Sequence, residues 1–185
     1  RLVAHKNELV SVAVIRKALK EWRKERHLTR ENQLSGLINN LLEEVNELKE
    51  AKDDYEKIDA YCDMAVFAFN VLDDDYEIAI NIANQSREYL GNATALEVTI
   101  LGLSEDLKKH PDISNELLVN FIEYLFSNIY YLGFNWFKCM IETIKEINSR
   151  VGKWDESRKK WVKDKSPEAV AKWYKANYKE CRNEM

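Results

Sequence analysis

Glycine and proline are scarce in this chain: five and two among 185 residues. So few breakers exclude a turn-rich all-β fold and favour long helices. Three cysteines, Cys62, Cys139 and Cys181, stand apart. None forms a C-x-x-C pair, so neither a zinc knuckle nor a disulfide framework is indicated. Three scattered histidines offer no E-x-x-H pair, which argues against a di-iron bundle. No glycine-rich phosphate loop is present, so Walker-type chemistry is not expected. No apolar run approaches a membrane span and no signal-peptide pattern opens the sequence, so a reducing cytoplasm is the expected location.

What is there is apolar and charged residue in helical proportion, 45% and 32%. The length suits one domain with a real core, 1–185. The net charge of −4 hides an asymmetry. From Arg150 onward eleven Lys and Arg face six Asp and Glu, so the tail carries +5 and the remainder −9. An acidic centre with a basic tail (150–185) suits a metal-bound polyphosphate, although a solvated lysine-rich helix would look the same.

The most informative stretch runs from Leu37 to Asn70. Leu34, Leu37, Ile38, Leu41, Leu42, Val45 and Leu48 recur at three and four, as do Ile58, Tyr61, Cys62, Ala65, Phe69 and Leu72. Two amphipathic helices joined by a short charged turn are predicted. Glu44 and Glu47 stand on neighbouring turns of the first, Asp59 and Asp63 on one face of the second. If the pair folds back near residue 53, Glu47 comes level with Asp59, and Glu43 or Glu44 with Asp63. Taken alone, Glu43 reads as a solvated surface residue. Together, acids at one height repel unless a hard cation sits between them, and Mg2+ fits best, with Mn2+ as the alternative.

EEVNEL followed by DAYCDMAVFAFN resembles the all-α nucleoside triphosphate pyrophosphohydrolases, the MazG-like superfamily. Their signature is E-x-x-E, a spacer, then an acidic residue and an Asp on the next helix. Many members carry E-x-x-D in the second half. Here Ala60 stands three before Asp63 and the acid is Asp59, a D-A-x-x-D variant similar to a phage and bacterial branch described as phosphoribosyl-ATP pyrophosphohydrolase-like. The tail extends the resemblance. INSRVGK resembles that branch's SNMSKL segment through Asn148, Ser149 and Lys153. WYKANYKE resembles its KGPNY ending through Lys175, Asn177 and Tyr178. The resemblance implies an all-α bundle, with residues 73–133 as a helical insertion that covers the site, shapes the base pocket or builds an interface. It also implies a homodimer or a dimer of dimers.

Elsewhere, a first helix is predicted over 7–26, with Val10, Val14, Ile15, Leu19 and Trp22 on its core side. Thr29 is the expected N-cap of the next, with Ser35 second. Asn70 lies two turns beyond Asp63 and is a candidate for substrate contact. Asp73, Asp74 and Asp75 are expected to close one helix or open another. Three helices are expected over 76–131, with turns at Gly91-Asn92 and at 109–112. The aromatics Tyr124, Phe126, Tyr130, Tyr131, Phe134 and Trp136 are taken as core, with a base pocket as the alternative. A helix over 134–148, a polar loop and a helix starting at Ser166-Pro167 complete the chain.

The function expected is metal-dependent hydrolysis of a nucleoside or deoxynucleoside triphosphate to monophosphate and pyrophosphate. Glu44, Glu47, Asp63 and Asp59 would hold the metal, which neutralises phosphate charge and lowers the pKa of the attacking water. Glu43, Glu44 or Glu47 would act in catalysis, with Glu43 or Glu47 orienting or deprotonating that water. Lys153, Lys163, Lys175, Asn148, Asn70, Tyr178 and Arg150 would contact substrate. Two alternatives stand: a dimeric deoxyuridine-triphosphatase-like activity on the same scaffold, and a non-catalytic helical protein binding a partner or nucleic acid through the tail. On the leading reading no nucleic-acid or membrane partner is expected.

Overall fold

A computed structural model describes residues 2–82 and 92–183, with backbone alone over 2–8. The fold is mostly helical. In chain order come α1 (Leu2–Glu25), α2 (Arg30–Glu50), α3 (Asp54–Phe69), α4 (Ala93–Lys109), α5 (Ser114–Tyr131) and α6 (Trp136–Ser149). A two-stranded hairpin follows, β1 (Gly152–Asp155) and β2 (Lys160–Lys163), then the short α7 (Pro167–Ala171) and a 3₁₀ turn, Tyr178–Cys181.

The hairpin of α2 and α3 is the centre, as the apolar spacing predicts. Thr29 caps α2 by accepting from the Asn32 amide at 3.2 Å, and Asp53 caps α3 through Glu56 at 2.9 Å. Helix α3 is buried nearly all round, from Ile58 through Tyr61, Met64 and Ala65 to Phe69. It can be, because α2 covers one side, α5 another, and α6 a third. Helix α4 packs on α2 and on α5, so α2, α3, α4 and α5 close a four-helix layer within one chain. The segment expected to be an insertion therefore forms core: Leu96, Ile100, Leu118, Ile122, Leu125 and Ile129 are all buried. Residues 76–82 carry no α-helix. Gly91 and 83–91 as a whole lie outside the described residues, so the third helix expected before Asn92 is not among those described. Asn92 itself caps α4.

Two expectations need correction. Helix α1 buries Val12, Ile15 and Leu19, while Val10 and Val14 are 56% and 44% exposed. The run Val-Ser-Val-Ala-Val offers two candidate stripes, because valines two apart on a helix point about 200° apart. Packing against α6 selects Val12. The polar loop expected after residue 149 is a β-hairpin, paired Gly152 to Lys163 and Trp154 to Trp161. Asp155 makes its turn, accepting from Ser157 N at 3.0 Å, Ser157 Oγ at 2.6 Å and Arg158 N at 3.2 Å. Gly152 is obligatory there: a Cβ would lie 2.2 Å from the Val162 carbonyl and 2.9 Å from the Trp161 ring.

The tail is pinned by few but specific bonds. Gly133, at φ 93°, ends α5 and turns the chain so that Asn135 N donates to Cys181 O at 2.8 Å and Asn183 N to Gly133 O at 2.8 Å. These bonds set Tyr178 and Cys181 against α6 and α3.

Candidate active site

Each carboxylate on the α2–α3 hairpin follows from helical register. Glu44 sits three after Leu41 and one before Val45, both buried, and so is drawn to the core border. Glu44, Glu47 and Asp63 each bring an oxygen within 4.8 Å of the other two. Glu44 is only 9% exposed, and its Oε2 is buried without a hydrogen-bond partner. Burial, then the charges of Glu47 and Asp59, push its carboxyl from 4.5 up to about 8. Burial, then Asp59 and Glu44, push Asp63 well above the ordinary carboxylate range. Crowding and burial thus favour the protonated forms of Glu44 and Asp63, and the three carboxyl groups are a group that could hold a cation.

The fourth expected ligand is not brought in. An Asp59 oxygen accepts the Tyr178 hydroxyl at 2.9 Å, and that hydroxyl lies 2.8 Å from Thr143 Oγ1. Burial raises the pKa of Tyr178, which keeps it a neutral donor. Asp59 faces a second cavity of about 420 Å3, shared with Glu146, Lys175 and Tyr178. Burial raises its carboxyl as well, opposed by the Tyr178 bond. Its charge still reaches the triad, while its Oδ1 is held by Tyr178. Glu146, buried on α6, adds a fifth nearby carboxylate that the sequence reading missed; it accepts from Ala176 N at 3.1 Å. Glu43 is exposed and acts on Glu44 by charge alone.

Glu44 and Asp63 form one end of a cleft of about 610 Å3. Much of the rest of its wall is basic or aromatic, with Leu28, Asn32, Val66 and Ile147 between. Arg26, Arg150, Lys159, Lys160 and Lys163 line it, with Trp22, His27, Trp154 and Trp161. Arg26 is buried, and its guanidinium lies 5.0 Å from both the Trp22 and the Trp161 ring centres. It donates to the carbonyls of Ile147 at 3.4 Å and Arg150 at 3.3 Å, tying the end of α1 to the end of α6. Three cleft-lining side chains hold buried polar atoms with no partner: Trp22 Nε1, Glu44 Oε2 and Arg150 Nε. All three atoms are buried behind the cleft surface.

The substrate-contact candidates divide. Lys163 and Arg150 line the cleft. Lys175 and Tyr178 line the second cavity instead. Lys153 alternates with Trp154 on β1; it and Asn148 are exposed and outside the lining of either cavity. Asn70 is buried at the end of α3 and accepts from Arg23 at 2.8 Å, a structural role. Two of the three consecutive aspartates pair with cations: Asp73 with Arg30 at 3.1 Å and Asp74 with Arg23 at 3.0 Å. Trp22, expected in the core, is half-buried in the cleft wall. Of the aromatics of 124–136, Phe126 and Phe134 are buried and Trp136 stacks on Phe126 at 4.5 Å, whereas Tyr130 and Tyr131, expected in the core, are 53% and 39% exposed. Among the described residues, none between 73 and 133 lines the cleft.

Comparison with protein-family models, with curated proteins and with solved structures gave no match.

Proposed function

We propose that the chain hydrolyses a nucleoside or deoxynucleoside triphosphate to the monophosphate and pyrophosphate, the activity implied by its resemblance to MazG-like pyrophosphohydrolases. One observation carries the reading. One cleft of nucleotide size joins two members of the carboxylate cluster, Glu44 and Asp63, to five cationic side chains. The donor set suits a hard divalent cation, Mg2+ or Mn2+, because all three groups are carboxylates. Glu44, Glu47 and Asp63 would hold it, and when bound it would offset phosphate charge and make an attacking water more acidic.

The other steps fall to the chain's own residues. Glu47, the exposed member of the cluster, would take the proton from the attacking water through an oxygen that the metal does not engage. Glu43 is exposed and outside the cluster. Arg150 and Lys163 bind phosphate oxygens and stabilise the charge that gathers on pyrophosphate as the α–β anhydride bond breaks. Arg26, held between two indoles, contributes a fixed positive charge at the same wall. Asp59 and Tyr178 position the tail against α3 rather than touching metal.

The test is pyrophosphate release from a panel of ribo- and deoxynucleoside triphosphates, dUTP included, with and without Mg2+. The expected result is metal-dependent turnover that disappears in a Glu44→Gln, Asp63→Asn double variant. Equal turnover by that variant would overturn the proposal. Salt-sensitive nucleic-acid binding without turnover would favour the binding-protein alternative.

A further inference from the structure

The reaction involves only phosphates, and the carboxylates and cations above account for it. They leave the aromatic part of the cleft without a role. We propose that Trp154, presented by the β-hairpin, is the platform on which a purine base of the substrate stacks; this rests on the triphosphate reading above.

Three observations lead there. First, Trp154 already accepts a flat ring: His27 lies 4.4 Å away, tilted by 25°. His27 is exposed while Trp154 is half-buried, so the histidine is the displaceable partner. Second, His27 occupies a costly position. It ends α1 at φ 54°, with Leu28 N bonded to Arg23 O at 2.9 Å, the helix-ending motif in which glycine is preferred. A ring is kept there against backbone preference, beside the indole. Third, the hairpin is held to the helices by the same chemistry that holds a base. Trp161 lies over the Arg26 guanidinium, and Gly152 gives the Trp161 ring room to lie flat against β1. Trp154 pairs directly with Trp161 across the strands, so a fixed Trp161 fixes Trp154.

A bicyclic base covers more of an indole than a monocyclic one, so purines are favoured over pyrimidines. The aromatic and cationic residues share one cleft with the carboxylates, so a base on Trp154 leaves its phosphates within the same enclosure.

The test compares two substrates, a purine nucleoside triphosphate and inorganic triphosphate, each with Mg2+. Trp154→Ala is expected to lower kcat/KM for the nucleotide by about tenfold to a hundredfold and to leave inorganic triphosphate unchanged. Trp154→Phe, which keeps an aromatic face, is expected to restore most of the loss. An equal fall with both substrates would mean that the indole only supports the hairpin, and no fall with either would remove the platform; both overturn the proposal. If the protein hydrolyses neither substrate, the activity reading fails on its own. The subsite is then judged by quenching of tryptophan fluorescence by guanosine monophosphate. Quenching that is lost in Trp154→Ala supports the proposal, and absent or unaltered quenching overturns it.

Discussion

Glu44 and Asp63 stand on two helices whose apolar faces are almost wholly buried, whereas Trp154, Trp161 and Lys163 stand on a two-stranded hairpin outside the main core. The first group is held by close packing and cannot easily move. The second is held by a cation between two indoles, a few backbone bonds and one obligatory glycine. An isolated two-stranded ribbon is marginal without such support. The contrast teaches a division of labour: the rigid wall keeps like charges together against their repulsion, and on the proposed reading the lightly held wall presents the groups that recognise and release a ligand.

If that division is right, the two walls should fail differently. The largest effect is expected from Glu44→Gln with Asp63→Asn, a fall in pyrophosphate release of at least about a hundredfold with the fold intact by circular dichroism. Arg150→Ala or Lys163→Ala should lower kcat/KM by about tenfold, since a charge-assisted bond to phosphate is partly screened at a cleft mouth. Gly152→Ala should come next. The added Cβ, 2.2 Å from a carbonyl, should disorder the hairpin and raise KM severalfold, while the helical core melts within about 1 kcal/mol of the parent. A fall in core stability as large as the fall in activity would mean that the two walls are one cooperative unit.

The acid wall also predicts a pH effect. Glu44 holds its proton to about 8 in the folded chain and to 4.5 ordinarily, so the folded state binds more protons between those values. The stability this lends is complete below about 4.5 and is lost as pH rises through about 8. Without divalent cation, the melting temperature should therefore fall from pH 5 to pH 8. Glu44→Gln should flatten that fall and gain roughly 1–2 kcal/mol at the alkaline end, because no buried charge is then formed. The smallest effect is His27→Gly, which should stabilise the chain by about 0.5–1 kcal/mol by placing the preferred residue at the end of α1.

The two walls also differed in how far the residues announced them. The acids were legible because helical spacing is local: Leu41, Glu44, Val45 and Leu48 settle one another's direction within two turns. Caps at Thr29 and Ser166 were legible for the same reason. The bond from Tyr178 to Asp59 was not legible because the two lie 119 residues apart, and no local pattern reports a bond of that range. The hairpin was missed because its alternation, Lys-Trp-Asp then Lys-Trp-Val-Lys, spans only four residues per strand and sits among charges that read as loop. The paired tryptophans flanking an Asp-Glu-Ser-Arg turn were the available signal. Trp22 and Arg26 looked like ordinary helix residues until α6 and β2 arrived to complete their surroundings.

Titration of the protein with Mg2+ by calorimetry at about pH 7 probes the carboxylate cluster most directly. The account predicts saturable binding accompanied by proton release, because Glu44 must surrender its proton to the cation, and loss of both in the Glu44→Gln, Asp63→Asn variant. No binding by the parent chain, or identical binding by the variant, would contradict it.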